Sequence, residues 1–172
     1  MAVDSTAHRQ LLIMRHAKSS WAEAGMADFD RPLNDRGRRA AQTVGDKLKS
    51  TGFEVDLIIG STACRVRQTV DILQPAWGSA APKFLSKELY LASREELLRQ
   101  IRALDSSFHR VLIVAHNPGI EELAGWFTES PEHFPTGAAL WLKCRNEYAS
   151  WQQALSEGEW NREAFWKPRE LE

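Results

Sequence analysis

The feature that most constrains the fold of this chain is a set of short, nearly unbroken apolar segments. Three of them have the length of a strand: residues 10–14 (QLLIM), 55–59 (VDLII) and 110–115 (RVLIVA). Because their apolar residues are continuous rather than alternating, they indicate strands covered on both faces, as in a parallel sheet between two layers of helices. Residues 138–142 (AALWL) are predicted to form a further strand, and residues 83–85 a short edge strand.

The segments between these strands have helical patterns. Their predicted starts are an N-cap at Asn34, the pair Ser61–Thr62, the capping box Ser93-x-x-Glu96, and Gly119 just after Pro118. Strands that alternate with helices predict a three-layer α/β/α sandwich around a mostly parallel sheet. The 172 residues contain no linker-like segment, so we expect one domain over residues 1–172. In the tail after residue 145, the FWKP segment (165–168) is predicted to be an edge strand ended by proline.

Cationic side chains follow three of the predicted strands. Arg15 and His16 come directly after the first strand. Arg65 lies at the start of the helix after the second strand, and His116 follows strand 110–115. Taken singly, each has an ordinary explanation: a surface pair, a solvated helix face, or a hydrogen-bonded histidine at a strand end. Because ligands of such sheets bind beyond the carboxyl ends of the strands, their joint placement indicates an anion site suited to phosphate.

Three ordered motifs resemble those of the histidine phosphatase superfamily. They are LIMRHA (12–17), Ser61-x-x-x-Arg65-Val66-x-x-Thr69, and AHNPG (115–119). The segments RHAKSSW, DFDRPLNDRGRRAAQ, HNPGIEEL and FPTGAALWL are most similar to the SixA type, the small bacterial phosphohistidine phosphatases. This resemblance covers residues 11 to about 142 and implies the phosphoglycerate mutase-like fold. Alanine stands at Ala17, where the family motif RHG has glycine.

The resemblance also implies roles for individual residues. His16 is expected to attack phosphorus through a ring nitrogen and to carry the phosphoryl group as an intermediate that water hydrolyses. The residues expected to hold the phosphoryl oxygens are Arg15, Arg65 and His116. This chemistry requires neither a metal ion nor another cofactor. Lys18 and Ser19, on the loop after His16, are further candidates for the rim of the pocket. Arg67 is expected to point away, because residues two apart on a helix lie on different faces.

The residue that follows His116 indicates which class of phosphorylated substrate the protein can hydrolyse. An alkyl phosphate usually needs a general acid to protonate its departing oxygen, and the acid-phosphatase branch of the superfamily has an aspartate there. This chain has Asn117, which leaves Glu88 as the candidate for the acid of the mutase branch. An imidazole leaving group, with a pKa near ~6.5, can take its proton from water. The missing acid therefore favours phosphohistidine on a protein, and the short chain predicts a shallow pocket that a protein surface can enter.

Two other functions remain open at this stage. One is a phosphomonoesterase of the same superfamily that acts on a small phosphorylated substrate with Glu88 as general acid. The other is a phosphate- or phosphoprotein-binding module without turnover. The triplet Asp28-Phe29-Asp30 resembles the DxD of aspartate-nucleophile phosphatases, but no strand precedes it, so a loop before the first helix is expected.

Charge and composition limit the partners that we expect. The formal net charge of −1 gives no indication of binding to nucleic acid or to an anionic membrane surface. No apolar run approaches the ~20 residues that a membrane span requires. The first ten residues, MAVDSTAHRQ, have neither the basic start nor the apolar stretch of a signal peptide, so we expect a cytoplasmic protein.

Overall fold

The computed structural model describes residues 8–172, so most of the stretch assessed for a signal peptide lies outside the described residues. Within that range six strands form one sheet. They are β1 (His8–Arg15), β2 (Leu57–Ser61), β3 (Lys83–Ser86), β4 (Arg110–Ala115), β5 (Ala139–Glu147) and β6 (Trp160–Trp166). Their order across the sheet is β3-β2-β4-β1-β5-β6. Strands β1 to β4 pair with one another in parallel, whereas β5 is antiparallel to both β1 and β6, so the mostly parallel sheet is confirmed.

Helices cover both faces of this sheet. They are α1 (Asp35–Thr51), α2 (Cys64–Trp77), α3 (Arg94–Arg102), α4 (Gly119–Thr128), α5 (Trp151–Glu157) and the short α6 (Pro168–Leu171). Alternate residues of β1 enter opposite cores. Leu12 and Met14 pack in the cluster that contains α1 and α2, and Leu11 and Ile13 pack in the cluster that contains α3, α4 and α5. Both faces of the strand are therefore buried, which explains its continuous apolar run and confirms the three-layer sandwich.

Two of the predicted helix starts are fixed by local side chains. The Asn34 side chain accepts a hydrogen bond from Gly37 N at 2.8 Å and caps α1. Ser93 and Glu96 complete the reciprocal capping box of α3. α1 ends where Gly52 adopts a left-handed conformation with φ of 71°, which glycine enters without steric cost.

The boundaries of β2 and of the helix that follows it differ from the sequence prediction. β2 begins at Leu57 rather than at residue 55, and it continues to Ser61. α2 begins at Cys64, because Ser61 Oγ accepts a hydrogen bond from Ala63 N at 3.0 Å and closes a turn between strand and helix. The hydroxyl of Ser61 therefore lies at the carboxyl end of β2, beside the end of the neighbouring strand β4.

The aromatic tail adds an edge strand and a helix. β6 is the edge strand predicted for the FWKP segment, although it begins earlier, at Trp160, and Pro168 opens α6. The sequence did not predict α5, which Ser150 caps and in which Trp151 is fully buried. None of the helices within residues 8–172 combines the length and apolar character that a membrane span needs.

Candidate active site

Four side chains that were predicted to act together lie at the carboxyl ends of three neighbouring strands. They are Arg15 at the end of β1, His16 directly after it, Arg65 in the first turn of α2, and His116 directly after β4. All four line one cavity of about 270 Å³. His16, Arg65 and His116 are at most 6 % exposed, so they can meet a ligand only inside this cavity.

The loop that carries His16 is held between α1 and α2. Ala17 N donates to Thr69 Oγ1 of α2 at 3.0 Å. On the other side, α1 approaches so closely that a Cβ at Gly37 would lie 2.1 Å from Lys18 O. Glycine is required at such a close approach of two backbones. The packing of both helices therefore fixes the direction in which the His16 side chain leaves the loop.

The hydrogen bonds of His16 determine which of its ring nitrogens is unprotonated. Nδ1 lies 2.7 Å from the carbonyl oxygen of Ala17. Because a carbonyl only accepts, Nδ1 carries the proton and Nε2 carries the lone pair. Arg65 Nε donates to this Nε2 at 3.3 Å. Burial lowers the pKa of His16 to about 3, with the positive charges of Arg65 and Arg15 acting in the same direction, so the ring is neutral at pH 7.

His116 lies beside His16, with the two ring centroids 5.1 Å apart. Arg65 Nη2 donates to its Nδ1 at 3.3 Å, so the proton is on Nε2, which donates to Ser61 Oγ at 2.8 Å. Burial, together with the charge of Arg65, lowers the pKa of His116 to about 4. Both histidines are therefore neutral at pH 7, and the positive charge of the pocket comes from other side chains.

Arg65 is held by Asp28, a residue to which the sequence assigns no role in the site. Asp28 lies in a short 3₁₀ turn, Asp28–Asp30, so the triplet belongs to a loop as expected. Its main-chain oxygen accepts a hydrogen bond from Arg65 Nη1 at 2.7 Å, and its Oδ2 accepts one from Arg65 Nη2 at 3.0 Å. The guanidinium is thereby fixed between Asp28 and the two histidines.

Asp28 also binds a second arginine of the pocket. Its Oδ1 accepts hydrogen bonds from Arg31 Nε at 3.1 Å and from Arg31 Nη2 at 3.0 Å. Tyr90 OH donates to its Oδ2 at 2.5 Å. These hydrogen bonds, that of Tyr90 first, lower the pKa of Asp28 to about 2, so this carboxylate is ionised at neutral pH. Arg31 is only 8 % exposed and lines the cavity, where it donates to Ser19 Oγ at 2.6 Å.

The weaker sequence candidates divide into those inside the cavity and those outside it. Inside are Lys18, Ser19 and Asn117. Glu88 is outside: its exposed carboxylate accepts a hydrogen bond from Gln100 Nε2 at 2.9 Å, so the structure does not bring the predicted general acid to the pocket. Arg67 is exposed and donates to Thr62 O, which confirms that it points away.

The chemical character of the cavity follows from its lining. Its cationic side chains are Arg15, Lys18, Arg31 and Arg65, and its lining within residues 8–172 includes no carboxylic acid. Over the same range, no group of three or more His, Cys, Asp and Glu side chains could hold a metal ion. Forked guanidinium donors suit a tetrahedral dianion. The site can therefore hold a phosphoryl group against one unprotonated ring nitrogen.

Comparison with known proteins agrees with this geometry. The family model described as histidine phosphatase superfamily (branch 1) matches residues 11–90. An uncharacterised chloroplastic protein of Arabidopsis thaliana is 30 % identical in an alignment that covers 93 % of this chain and 78 % of that protein. The match thus extends well beyond the segment that the family model covers.

Two solved structures share the fold over nearly the whole chain. One is a protein of Agrobacterium tumefaciens assigned as the phosphohistidine phosphatase SixA, with a TM-score of 0.78 and 30 % identity over 93 % of this chain and 98 % of that one. The other, from Nakamurella multipartitia and assigned in the same way, has a TM-score of 0.77 and 28 % identity over 94 % of this chain and 96 % of that one.

Proposed function

This chain belongs to the histidine phosphatase superfamily and is a phosphatase of it, and on that premise we propose that it hydrolyses phosphohistidine on proteins through a phosphorylated His16. The observation that carries the proposal is the unprotonated Nε2 of His16 inside a cavity lined by arginines. The substrate class is supported by the solved relatives assigned as phosphohistidine phosphatases.

In the first step, His16 Nε2 attacks phosphorus while the P–N bond to the substrate imidazole breaks. The electron pair of that bond passes to the departing imidazole, which takes a proton from water. Arg15, Arg31 and Arg65 hold the phosphoryl oxygens and stabilise their charge during transfer. The hydrogen bond from His16 Nδ1 to Ala17 O stabilises the positive charge that develops on the ring.

In the second step, water attacks the phosphoryl group on His16. A P–O bond forms, the P–Nε2 bond breaks, and its electron pair returns to the ring, so that His16 is again neutral and inorganic phosphate leaves. The attacking water releases a proton to the solvent, which balances the proton that the departing imidazole took from water. His116 lines the cavity beside His16, and its Nδ1 accepts a hydrogen bond from Arg65 Nη2, so we assign it to orienting the guanidinium that holds the phosphoryl oxygens. The arginines supply the positive charge that transfer requires, so the scheme contains no step that calls for a metal ion.

The acids near the pocket support a phosphoramidate substrate over an alkyl ester. Asp28 is the carboxylate that contacts the pocket arginines, and with a pKa of about 2 it has no proton to donate at neutral pH. Glu88 is bound to Gln100 instead of lining the cavity. Asn117 lines the cavity, but an amide is not a general acid. An imidazole leaving group does not need such an acid, whereas an alkoxide does.

The other two functions are less well supported. A phosphomonoesterase that acts on a small phosphate ester needs Glu88 as its general acid, and that residue lies outside the cavity. A binding module without turnover has no use for an unprotonated histidine nitrogen directed at a pocket arginine. Hydrolysis of phosphohistidine uses both the nitrogen and the arginines.

The test is transfer of a radiolabelled phosphoryl group from a phosphohistidine peptide. The wild-type protein is compared with His16→Ala and with the control His109→Ala. His109 directly precedes β4, so it lies at the opposite end of that strand from the cavity. We expect acid-labile label and phosphate release from the wild type and the control, and a loss of at least about 10³-fold in His16→Ala. Turnover by His16→Ala at the wild-type rate would remove His16 as nucleophile. Failure of all three proteins to label or to release phosphate would exclude the substrate.

A further inference from the structure

Two exposed apolar side chains at the mouth of the cavity have no part in the mechanism above. Trp21 is 78 % exposed and Leu91 is 55 % exposed, and both belong to the lining of the cavity that contains His16. Large apolar side chains gain free energy when they leave water, and exposed groups of them commonly mark contact surfaces. The pair lies where the carrier of a phosphoryl group must lie when phosphorus is next to His16.

The indole ring of Trp21 is stacked on the guanidinium group of Arg31. The Arg31 Cζ lies 3.5 Å from the centroid of the Trp21 ring, and Arg31 is itself fixed by Asp28 and Ser19. One face of the indole is thus stacked on a cation that is anchored in the pocket. Because the side chain is 78 % exposed, the opposite face is open to a ligand. An ordered aromatic face of this kind is a surface on which another planar ring stacks.

Leu91 is held in a backbone conformation that a leucine rarely adopts. Its φ is 51°, in the left-handed region that disfavours bulky side chains. The residues on either side of the turn, Leu89 and Ala92, are buried and fix its path. An unfavourable conformation that persists at the mouth of a pocket points to a role for the side chain that it presents.

We propose that Trp21 and Leu91 form an apolar rim that recognises the planar imidazole carrying the phosphoryl group, an inference that rests on the function proposed above. The imidazole stacks on the open face of Trp21 and contacts Leu91, while the arginines bind the phosphoryl oxygens. A sugar phosphate would instead place hydroxyl groups against this apolar rim and lose hydrogen bonds to water. The apolar rim therefore favours an imidazole as the group that bears the phosphoryl group. The cavity lining, which within the described residues includes no carboxylic acid, favours the same class of substrate.

The test compares two small donors that share a P–N bond and differ in the ring. N-phosphoimidazole has the ring, and phosphoramidate does not. The readout is the ratio of their kcat/KM values in Trp21→Ala, Trp21→Phe and Leu91→Gly, since glycine fits the left-handed backbone. Phe84→Ala is the matched control, because Phe84 is 74 % exposed but lies on the edge strand β3 and is not part of the cavity lining.

We expect the ratio to fall about 2- to 10-fold in Trp21→Ala and in Leu91→Gly, as for the loss of a stacked or apolar contact. Trp21→Phe, which keeps a ring, should recover most of it, and Phe84→Ala should keep the wild-type ratio. A ratio that does not change, or kcat/KM values that fall equally for both donors, would overturn the rim while leaving the proposed function in place. If the wild type hydrolyses neither donor and acquires no label, the proposed function fails and the rim fails with it.

Discussion

At the scale of single residues, the arginines of the pocket depend on a carboxylate that does not itself line the cavity. Asp28 binds Arg65 through Oδ2 and Arg31 through Oδ1. The carboxylate fixes both guanidinium planes, but its negative charge also opposes the binding of an anion. Asp28 therefore favours the reaction by orienting the two arginines and weakens phosphate binding by repelling its charge. A substitution at this residue can measure both effects.

Asp28→Asn should separate these two effects. The amide keeps the size of the side chain but removes its charge and one acceptor, so Arg65 and Arg31 lose their fixed orientation. We expect kcat on a phosphohistidine peptide to fall about 10- to 100-fold, as for other losses of positioning. Inhibition by inorganic phosphate should become stronger, because a repelling charge has been removed. Asp30→Asn, in the same 3₁₀ turn, is the control, and a kcat for Asp28→Asn within twofold of the wild type would contradict the role.

The residues of this pocket differ in how far the sequence could predict them. Arg15, His16 and His116 follow from the ends of predicted strands, because parallel strands present their carboxyl ends at one edge of a sheet. Asp28 could not be predicted in the same way. It contacts Arg65 across 37 residues and Tyr90 across 62 residues, and these contacts depend on how a loop packs against the finished sheet. For Arg31, the sequence offers one indication of a role in the site, its position within the DFDRPLNDRGRRAAQ segment.

At the scale of whole elements, the sequence predicts best where the information is local. The caps of α1 and α3 involve residues three apart, Asn34 with Gly37 and Ser93 with Glu96, so their positions are visible in the sequence. The helix α5 is different. Its buried Trp151 lies over the guanidinium of Arg9, near the start of the described chain, and no local pattern reveals that contact.

The packing of α1 against the His16 loop predicts the effect of Gly37→Ala. A Cβ there would lie 2.1 Å from Lys18 O, so the loop or the helix must move. We expect a loss of about 1–3 kcal/mol in the free energy of unfolding, typical of overpacking, and a fall of at least about tenfold in the rate of His16 labelling. Urea denaturation and the labelling assay measure the two effects.

Gly125→Ala is the matched control for helix propensity. Gly125 lies within α4, and a Cβ there would be 3.6 Å from Ser130 O, an ordinary van der Waals contact. Because alanine is favoured over glycine in a helix, we expect this substitution to stabilise the protein by about 0.5–1 kcal/mol. If Gly37→Ala also stabilised the protein and left labelling unchanged, α1 would not set the geometry of the loop.

At the scale of the whole molecule, the parallel strands bring two buried, neutral histidines to one edge of the sheet, and this couples folding to pH. Burial lowers the pKa of His16 to about 3 and that of His116 to about 4, whereas an unfolded histidine has a pKa near ~6.5. Above that value neither state binds these protons. Below it the unfolded chain takes up protons that the folded protein does not, so stability falls as the pH decreases toward 4.

The expected loss is on the order of 1 kcal/mol for each of the two histidines and each pH unit below about 6.5. Urea unfolding followed by tryptophan fluorescence at pH 7.5, 6.5, 5.5 and 5.0 measures it. His116→Gln keeps a donor for Ser61 but cannot be protonated. The free energy of unfolding of this variant should therefore decrease with falling pH less steeply than that of the wild type, and the difference in slope should be about the contribution of one histidine. Parallel stability curves for His116→Gln and the wild type would mean that His116 is charged in the folded pocket, and the neutral pair of histidines would then be wrong.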